Sequence, residues 1–228
     1  MSLRQISTTV PSFADELRAR TDEELNALFT HRPDLITPVP GDIAALATRA
    51  TSGPSLVRAI EGLNQWQFAV LEASMALTEP FTSAQIVKAT EKGAEKVVTE
   101  LYERGLIYKV SEGYQVPRAI HDFIGQSPAG LGPVSIAKLD LKKLQDAPKP
   151  ALELLSKLTW GSAKGTVSDI RKRGTPIAWL IENHFLIPMD QTTVVVPREL
   201  GLHLRGGKVH QSYLTTAPKV SGDKRKQK

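Results

Sequence analysis

A mainly α protein with small β-hairpins is what this 228-residue sequence predicts. Three observations carry that reading. Apolar residues recur at helical spacing along most of the chain, as in Leu25, Leu28 and Phe29, or Ile177, Leu180 and Ile181. Strand-like runs are confined to two short stretches, 106–116 and 185–196. Those two stretches, with the helices ahead of them, repeat one another.

Composition is that of a folded chain. Hydrophobic residues make up 41% and charged residues 23%, inside the globular range. A chain this long buries roughly 70% of its unfolded surface without staples. With no cysteine, a disulfide framework, a Cys-containing zinc site and a thiol nucleophile are excluded. No apolar run reaches the ~18 residues of a membrane span. Met1-Ser2-Leu3-Arg4-Gln5 lacks the apolar core of a signal peptide. The expectation is a soluble, cytoplasmic chain with no membrane partner.

Residues 11–62 read as short helices. Ser12 opens one, and Thr21-Asp22-Glu23-Glu24 is a capping box in which Thr21 and Glu24 satisfy each other's backbone N–H groups. Arg32-Pro33 and Pro38-Val39-Pro40-Gly41 are breaks. Ile43, Leu46 and Ala47 form a stripe ended near Gly53-Pro54, and Leu56, Val57 and Ile60 make one more helix.

The next segment gives three helices: 65–77, a short one opened by Thr82 or Ser83, and 94–104 with Val97, Val98 and Leu101 inward. Gly105 terminates the third in the left-handed region. Residues 106–110 and 114–116 are strands, joined by Ser111-Glu112-Gly113 as a tight hairpin. A short helix at 118–124, a Gly- and Pro-rich loop at 125–133 and a helix at 138–145 then lead to Pro148 and Pro150. The pattern recurs: a helix at 151–158, a loop at 161–166, a weak helical turn at 167–172, and a helix started by Thr175-Pro176. Strands at 185–187 and 193–196 close it. Leu101, Glu103, Leu106 and Ile107 match Leu180, Glu182, Phe185 and Leu186 at an offset of 79, and Val116-Pro117-Arg118 matches Val196-Pro197-Arg198 at 80. Gly105 becomes His184, so Asn183 or His184 must take the helix end, and asparagine tolerates the left-handed region best. Three helices and a hairpin are the order of a winged helix-turn-helix. The fold expected is tandem winged helix-turn-helix units plus a helical N-terminal extension.

No catalytic constellation stands out, so no enzyme activity, metal or cofactor is expected. Gly161-Ser162-Ala163-Lys164-Gly165-Thr166 lacks the spacing of a phosphate loop. Ser135-Ile136-Ala137-Lys138 lacks the partner motifs of serine chemistry. His31, His121, His184, His203 and His210 sit in no metal-binding motif. Trp66, Trp160 and Trp179 read as core.

Charge is unevenly placed. Of the net +5, residues 204–228 supply seven basic groups (Arg205, Lys208, Lys219, Lys224, Arg225, Lys226 and Lys228) against Asp223, leaving 22 basic and 23 acidic groups elsewhere. A winged helix usually presents its third helix to the major groove and its wing to phosphates. In the first copy, Lys92, Lys96 and Arg104 face four acids, Glu91, Glu95, Glu100 and Glu103, and the wing offers Lys109 beside Glu112. In the second copy, Arg171-Lys172-Arg173 precedes a helix whose one charge is Glu182. That cluster reads either as phosphate contacts or as a solvated turn. The tail suits non-specific phosphate binding or a solubilising end.

Several stretches resemble a known family: Arg32-Pro33-Asp34-Leu35 with Pro38 and Pro40, the helix at 63–77, Leu158-Thr159-Trp160-Gly161, and Val195-Val196-Pro197-Arg198-Glu199-Leu200 with Leu204-Arg205-Gly206-Gly207. Across about residues 13–207 the chain resembles the actinobacterial helicase-associated proteins, related to the N-terminal domain of XPB-type DNA helicases. The resemblance implies tandem winged-helix units that bind DNA, in repair or transcription, nucleoid-associated and without a motor. It implies no catalytic residues.

The expected organisation is a helical extension at 1–62, a first winged helix at 63–124, a linker with a short helix at 125–150, a second winged helix at 151–207 and a basic, disordered tail at 208–228. The expected DNA contacts are Lys92, Lys96, Lys109, Arg171, Lys172, Arg173, Arg205, Lys208, Lys224, Arg225 and Lys226, touching phosphate with little base readout. The other reading is a protein-interaction module docking a larger nucleic-acid-processing complex, with protein partners or further domains of a longer chain.

Overall fold

Short, well-capped helices account for most of the chain. The computed structural model describes residues 11–168, 170 and 172–216. In order these are α1 (Phe13–Ala19), α2 (Asp22–His31), α3 (Ile43–Ala50), α4 (Gly53–Glu61), α5 (Gln65–Ala76), α6 (Ser83–Ala89), α7 (Ala94–Glu103), β1 (Tyr108–Val110), β2 (Gly113–Gln115), α8 (Arg118–Ile124), α9 (Lys149–Leu158), β3 (Lys164–Thr166), α10 (Pro176–Glu182), β4 (Ile187–Pro188), β5 (Thr193–Val195) and α11 (Arg198–Leu204). The protein is mainly helical, with one two-stranded and one three-stranded antiparallel sheet. Among the described residues, no helix is long and apolar enough to cross a membrane.

Three apolar clusters organise these elements. In the first, Phe13, Leu17, Leu28, Leu35 and Leu46 come together. Reciprocal capping boxes, Ser12 with Asp15 and Thr21 with Glu24, fix where α1 and α2 begin. The second cluster surrounds α5, which buries Trp66, Val70, Leu71, Ala73 and Met75. Leu56 and Ala59 of α4 belong to this cluster. Helix α5 is buried over most of its surface, Gln67 and Ser74 included; α6, α7 and the turn Pro128–Gly130 pack on it, and α4 and α8 add residues to the same cluster. The third cluster joins Ala151 and Leu155 of α9 to Leu180, Phe185, Val194, Val196 and Leu200.

The first hairpin pairs Tyr108 with Gln115 and Val110 with Gly113. Phe81 adds a bridge to it, exchanging backbone hydrogen bonds with Tyr114 at 3.0 and 2.8 Å. Gly113 is required there: its φ is +144° and a Cβ would collide with the Phe81 carbonyl.

In the second sheet β5 lies between β4 and β3. The sequence predicts a loop at 161–166, and the structure corrects it: Lys164–Thr166 is an edge strand, with Lys164 opposite Val195 and Thr166 opposite Thr193. Three residues, one of them glycine, carry no legible alternation; the free edge of β5 recruits them. The expected helical turn at 167–172 is not helical at its described residues. Val167 and Ile170 donate instead to Thr192 and Gln191 of the hairpin tip, at 2.7 and 3.3 Å. The helix expected at 138–145 is a tighter 3-10 segment, Leu141–Asp146, capped by Asp140. The first strands of both hairpins start later than expected, because Leu106, Ile107, Phe185 and Leu186 are buried turn residues that anchor the hairpins to the core.

Two buried arginines hold the parts together. Arg198 donates from Nε to Gly132 O (3.2 Å), from Nη1 to Met75 O (3.0 Å) and from Nη2 to Gln126 O (2.9 Å). Arg205 donates to the carbonyls of Thr159, Ala129 and Val209. Beyond α11 the chain returns to the second cluster. There Val209 is fully buried, its N–H reaches Ala89 O at 3.0 Å, and the Tyr213 hydroxyl donates to the same carbonyl.

Candidate nucleic-acid interface

The residues expected to touch phosphate fall into four situations. Lys92 and Lys96 are exposed, at the turn before α7 and on its first turn, but exposed Glu91 and Glu95 alternate with them. Opposite charges at that spacing cancel at the distance of a phosphate backbone, so this helix gathers no positive field.

Lys109 is engaged within the protein. Its ammonium sits 2.8 Å from Glu24 Oε1 and 4.1 Å from the centroid of the Tyr102 ring. That hydrogen bond holds the Glu24 carboxyl at about 2, against the opposing effect of burial. Arg20 lies 4.2 Å from the same ring centroid, donates to both Glu16 oxygens at 3.0 and 3.1 Å, and reaches Tyr102 O at 3.1 Å. Burial pushes the Tyr102 phenol up. Helices α1 and α2 thus cover the outer side of α7 and the first hairpin.

Arg205 is a correction. Its guanidinium is buried on three carbonyls, and burial lowers its pKa. A group so committed cannot reach a phosphate without breaking the fold. Lys208 is likewise drawn inward, its ammonium donating to Thr90 O at the end of α6.

Lys172 and Arg173 are exposed. They stand just before α10, whose start is fixed by Thr175: its hydroxyl accepts from Ala178 N–H at 3.1 Å and donates to Lys172 O at 2.9 Å. The hairpin tip beside them carries Asp190, which binds the Thr192 and Thr193 amides at 2.7 Å each. Those amides hold its carboxyl below the usual range. Arg171, Lys224, Arg225 and Lys226 lie outside the described residues.

Two residues escape the sequence reading. Lys164 reads as part of a loop, yet stands exposed on β3. Trp160 reads as core, yet is 41% exposed. The other tryptophans are placed as expected: Trp66 is buried, and Trp179 packs 5.8 Å from Phe185. Among the described residues, none of Lys164, Lys172 and Arg173 pairs with a carboxylate.

The histidines are dispersed. His31, His121 and His210 each meet one glutamate (Glu103, Glu79 and Glu72), and His203 is exposed. Among the described residues no three His, Asp or Glu side chains converge on one point. A cavity of about 510 Å³ opens between the end of α5, α8 and α11, with Leu77, Glu79, His121, Val134 and Leu202 in its lining.

Compared with protein-family models, curated proteins and solved structures, the chain finds no match.

Proposed function

We propose that this chain is a non-catalytic DNA-binding accessory module of helicase-associated type, built of two winged helix-turn-helix units with a helical N-terminal extension. In this reading the units have diverged. The first, α5–α8 with its hairpin, serves as scaffold, and the second contacts the phosphate backbone through Lys164, Lys172 and Arg173 with little base readout. Repair and transcription are the settings that the family resemblance suggests.

One observation carries the proposal. Lys109, the cation on the first hairpin, is half exposed but paired with Glu24 and held over the Tyr102 ring, whereas among the described residues the exposed cations beside the second hairpin pair with no carboxylate. Contact with phosphate releases counterions, so affinity for duplex DNA should fall steeply as salt rises. Replacing Lys172 and Arg173 together by Ala should lower the slope of log affinity against log salt by about 2. An unchanged slope overturns this assignment. Removal of residues 217–228 is the companion measurement: if it alone abolishes binding, the folded body is not the reader.

A second reading, docking of a protein partner, is favoured by Val134 and Ile136. They are 58% and 99% exposed, and Val134 lines the cavity at α5, α8 and α11. Capture of a partner that withstands high salt, with no salt-dependent DNA binding, would favour it.

A further inference from the structure

Trp160 stands where α9 ends. It differs from Trp66 and Trp179 in exposure: Trp66 is buried and Trp179 packs on Phe185, whereas Trp160 faces solvent. Its ring is not loose, however. The Arg205 guanidinium lies 5.1 Å from the ring centroid. That guanidinium is itself fixed by three carbonyls, including Thr159 O, one residue before the tryptophan. A buried, immobile cation therefore backs the indole, and 41% of the residue still faces solvent.

The flanking chain is cationic. Lys157 lies three residues earlier on α9 and Lys164 four residues later on β3, both exposed. Among the described residues neither forms an ion pair, although Glu153 lies one turn before Lys157. Between them Gly161 and Ser162 are also exposed, so no bulky side chain from this turn stands over the ring.

From this geometry we infer that Trp160 is a stacking platform for an unpaired base, with Lys157 and Lys164 meeting the phosphates on either side. The inference rests on the nucleic-acid reading above and narrows it to single-stranded nucleic acid at this site. Bases in a duplex hide their faces in the stack and offer the ring nothing, whereas each unpaired base presents a π-face. An aromatic side chain flanked by cations is the usual means of holding such a strand. A preformed platform also loses little freedom on binding. Lys164 is shared with the duplex reading; Lys172 and Arg173 belong to that reading alone and are not needed here.

The test uses the full chain, an oligo-dT of about 16 nucleotides and a duplex of equal length. The oligo-dT should quench tryptophan fluorescence. Trp160→Ala should weaken oligo-dT binding about tenfold and leave duplex affinity within about twofold. Trp160→Phe, which keeps an aromatic face and the packing on Arg205, should retain most of the affinity. Lys157→Ala with Lys164→Ala should reduce the oligo-dT salt slope by about 1.4. If Trp160→Ala binds oligo-dT as the parent does, stacking at this site is overturned. If the duplex binds and is weakened by Lys172→Ala with Arg173→Ala, but oligo-dT neither binds nor quenches, the inference fails and the duplex reading stands. If neither nucleic acid binds, both readings fall.

Discussion

Gly105 and His184 share one backbone conformation, with φ of +66° and +62°. Their hydrogen bonds match as well. Gly105 N–H reaches Tyr102 O and Leu106 N–H reaches Leu101 O, both at 2.9 Å; His184 N–H reaches Ile181 O at 3.0 Å and Phe185 N–H reaches Leu180 O at 2.7 Å. Each helix thus ends in a left-handed residue followed by a buried apolar anchor. The surroundings differ. A Cβ on Gly105 would lie 3.1 Å from Leu28 Cδ1 and 3.4 Å from the Phe13 ring, while His184 is exposed. Where α1 and α2 pack against the helix end a side chain would be crowded as well as strained; where nothing covers it, histidine is tolerated at a cost in strain. Gly105→Ala should therefore destabilise by more than the ~1 kcal/mol of left-handed strain alone, and His184→Gly should stabilise by up to about 1 kcal/mol. Urea midpoints of the two variants should move in opposite directions.

Arg198 and Arg118 hold equivalent positions after the two hairpins, each following a proline that caps a seven-residue helix. Arg118 is exposed and Arg198 is buried on three carbonyls. Arg198→Ala should cost about 3 kcal/mol, because a buried hydrogen-bond network is left without its donors. Arg118→Ala should stay within about 0.5 kcal/mol. Denaturant unfolding of the pair measures the contrast directly.

The Glu24–Lys109 contact predicts an acid limb in stability. Glu24 titrates at about 2 when folded, below its ordinary 4.5. Its contribution is therefore complete above pH 4.5 and is lost as pH falls toward 2. The lysine side chain is half exposed, so the pair is worth well under about 1 kcal/mol. Glu24→Gln should lower stability by that amount at pH 7, and the difference should shrink below pH 4.5 and vanish only as pH falls through about 2. A constant difference across that range would mean that the pair plays no part.

Gly113→Ala should be the most damaging change in the first hairpin. The added Cβ meets the Phe81 carbonyl, and φ at that position is foreign to alanine. Loss of the Phe81–Tyr114 bridge should expose Phe81, now fully buried, and cost about 2–4 kcal/mol. Amide exchange at Tyr114, whose N–H donates to Phe81 O, should accelerate in parallel.

Local signals were fully legible in the residues. Thr21-Asp22-Glu23-Glu24 is the capping box it spells, Gly105 turns left-handed, Ser111-Glu112-Gly113 makes its hairpin, and the offset of 79 between Leu101 and Leu180 has a matched pair of helix ends. These depend on neighbours within a few residues, so the chain carries them in its order. The sequence favours Asn183 for the left-handed turn of the second copy, and the structure corrects it: Asn183 has φ of −96° and His184 +62°. Asn183 Nδ2 donates to Trp179 O at 2.9 Å and the next residue takes the left-handed turn.

What the order of residues left undecided was the use of each charge and each indole. Arg205, Arg198, Lys172 and Arg173 are equivalent letters in a basic chain, yet two are buried on carbonyls and two face water. Lys164 reads as loop until β5 offers it an edge, and Trp160 reads as core until Arg205 arrives beneath it. The partners that decide these outcomes lie from 31 residues away, for Lys164 and Val195, to 123 away, for Arg198 and Met75. Tertiary packing alone brings such partners within bonding distance, because hydrogen bonds and ring contacts act over a few ångströms and local pattern says nothing of which distant carbonyl will arrive there.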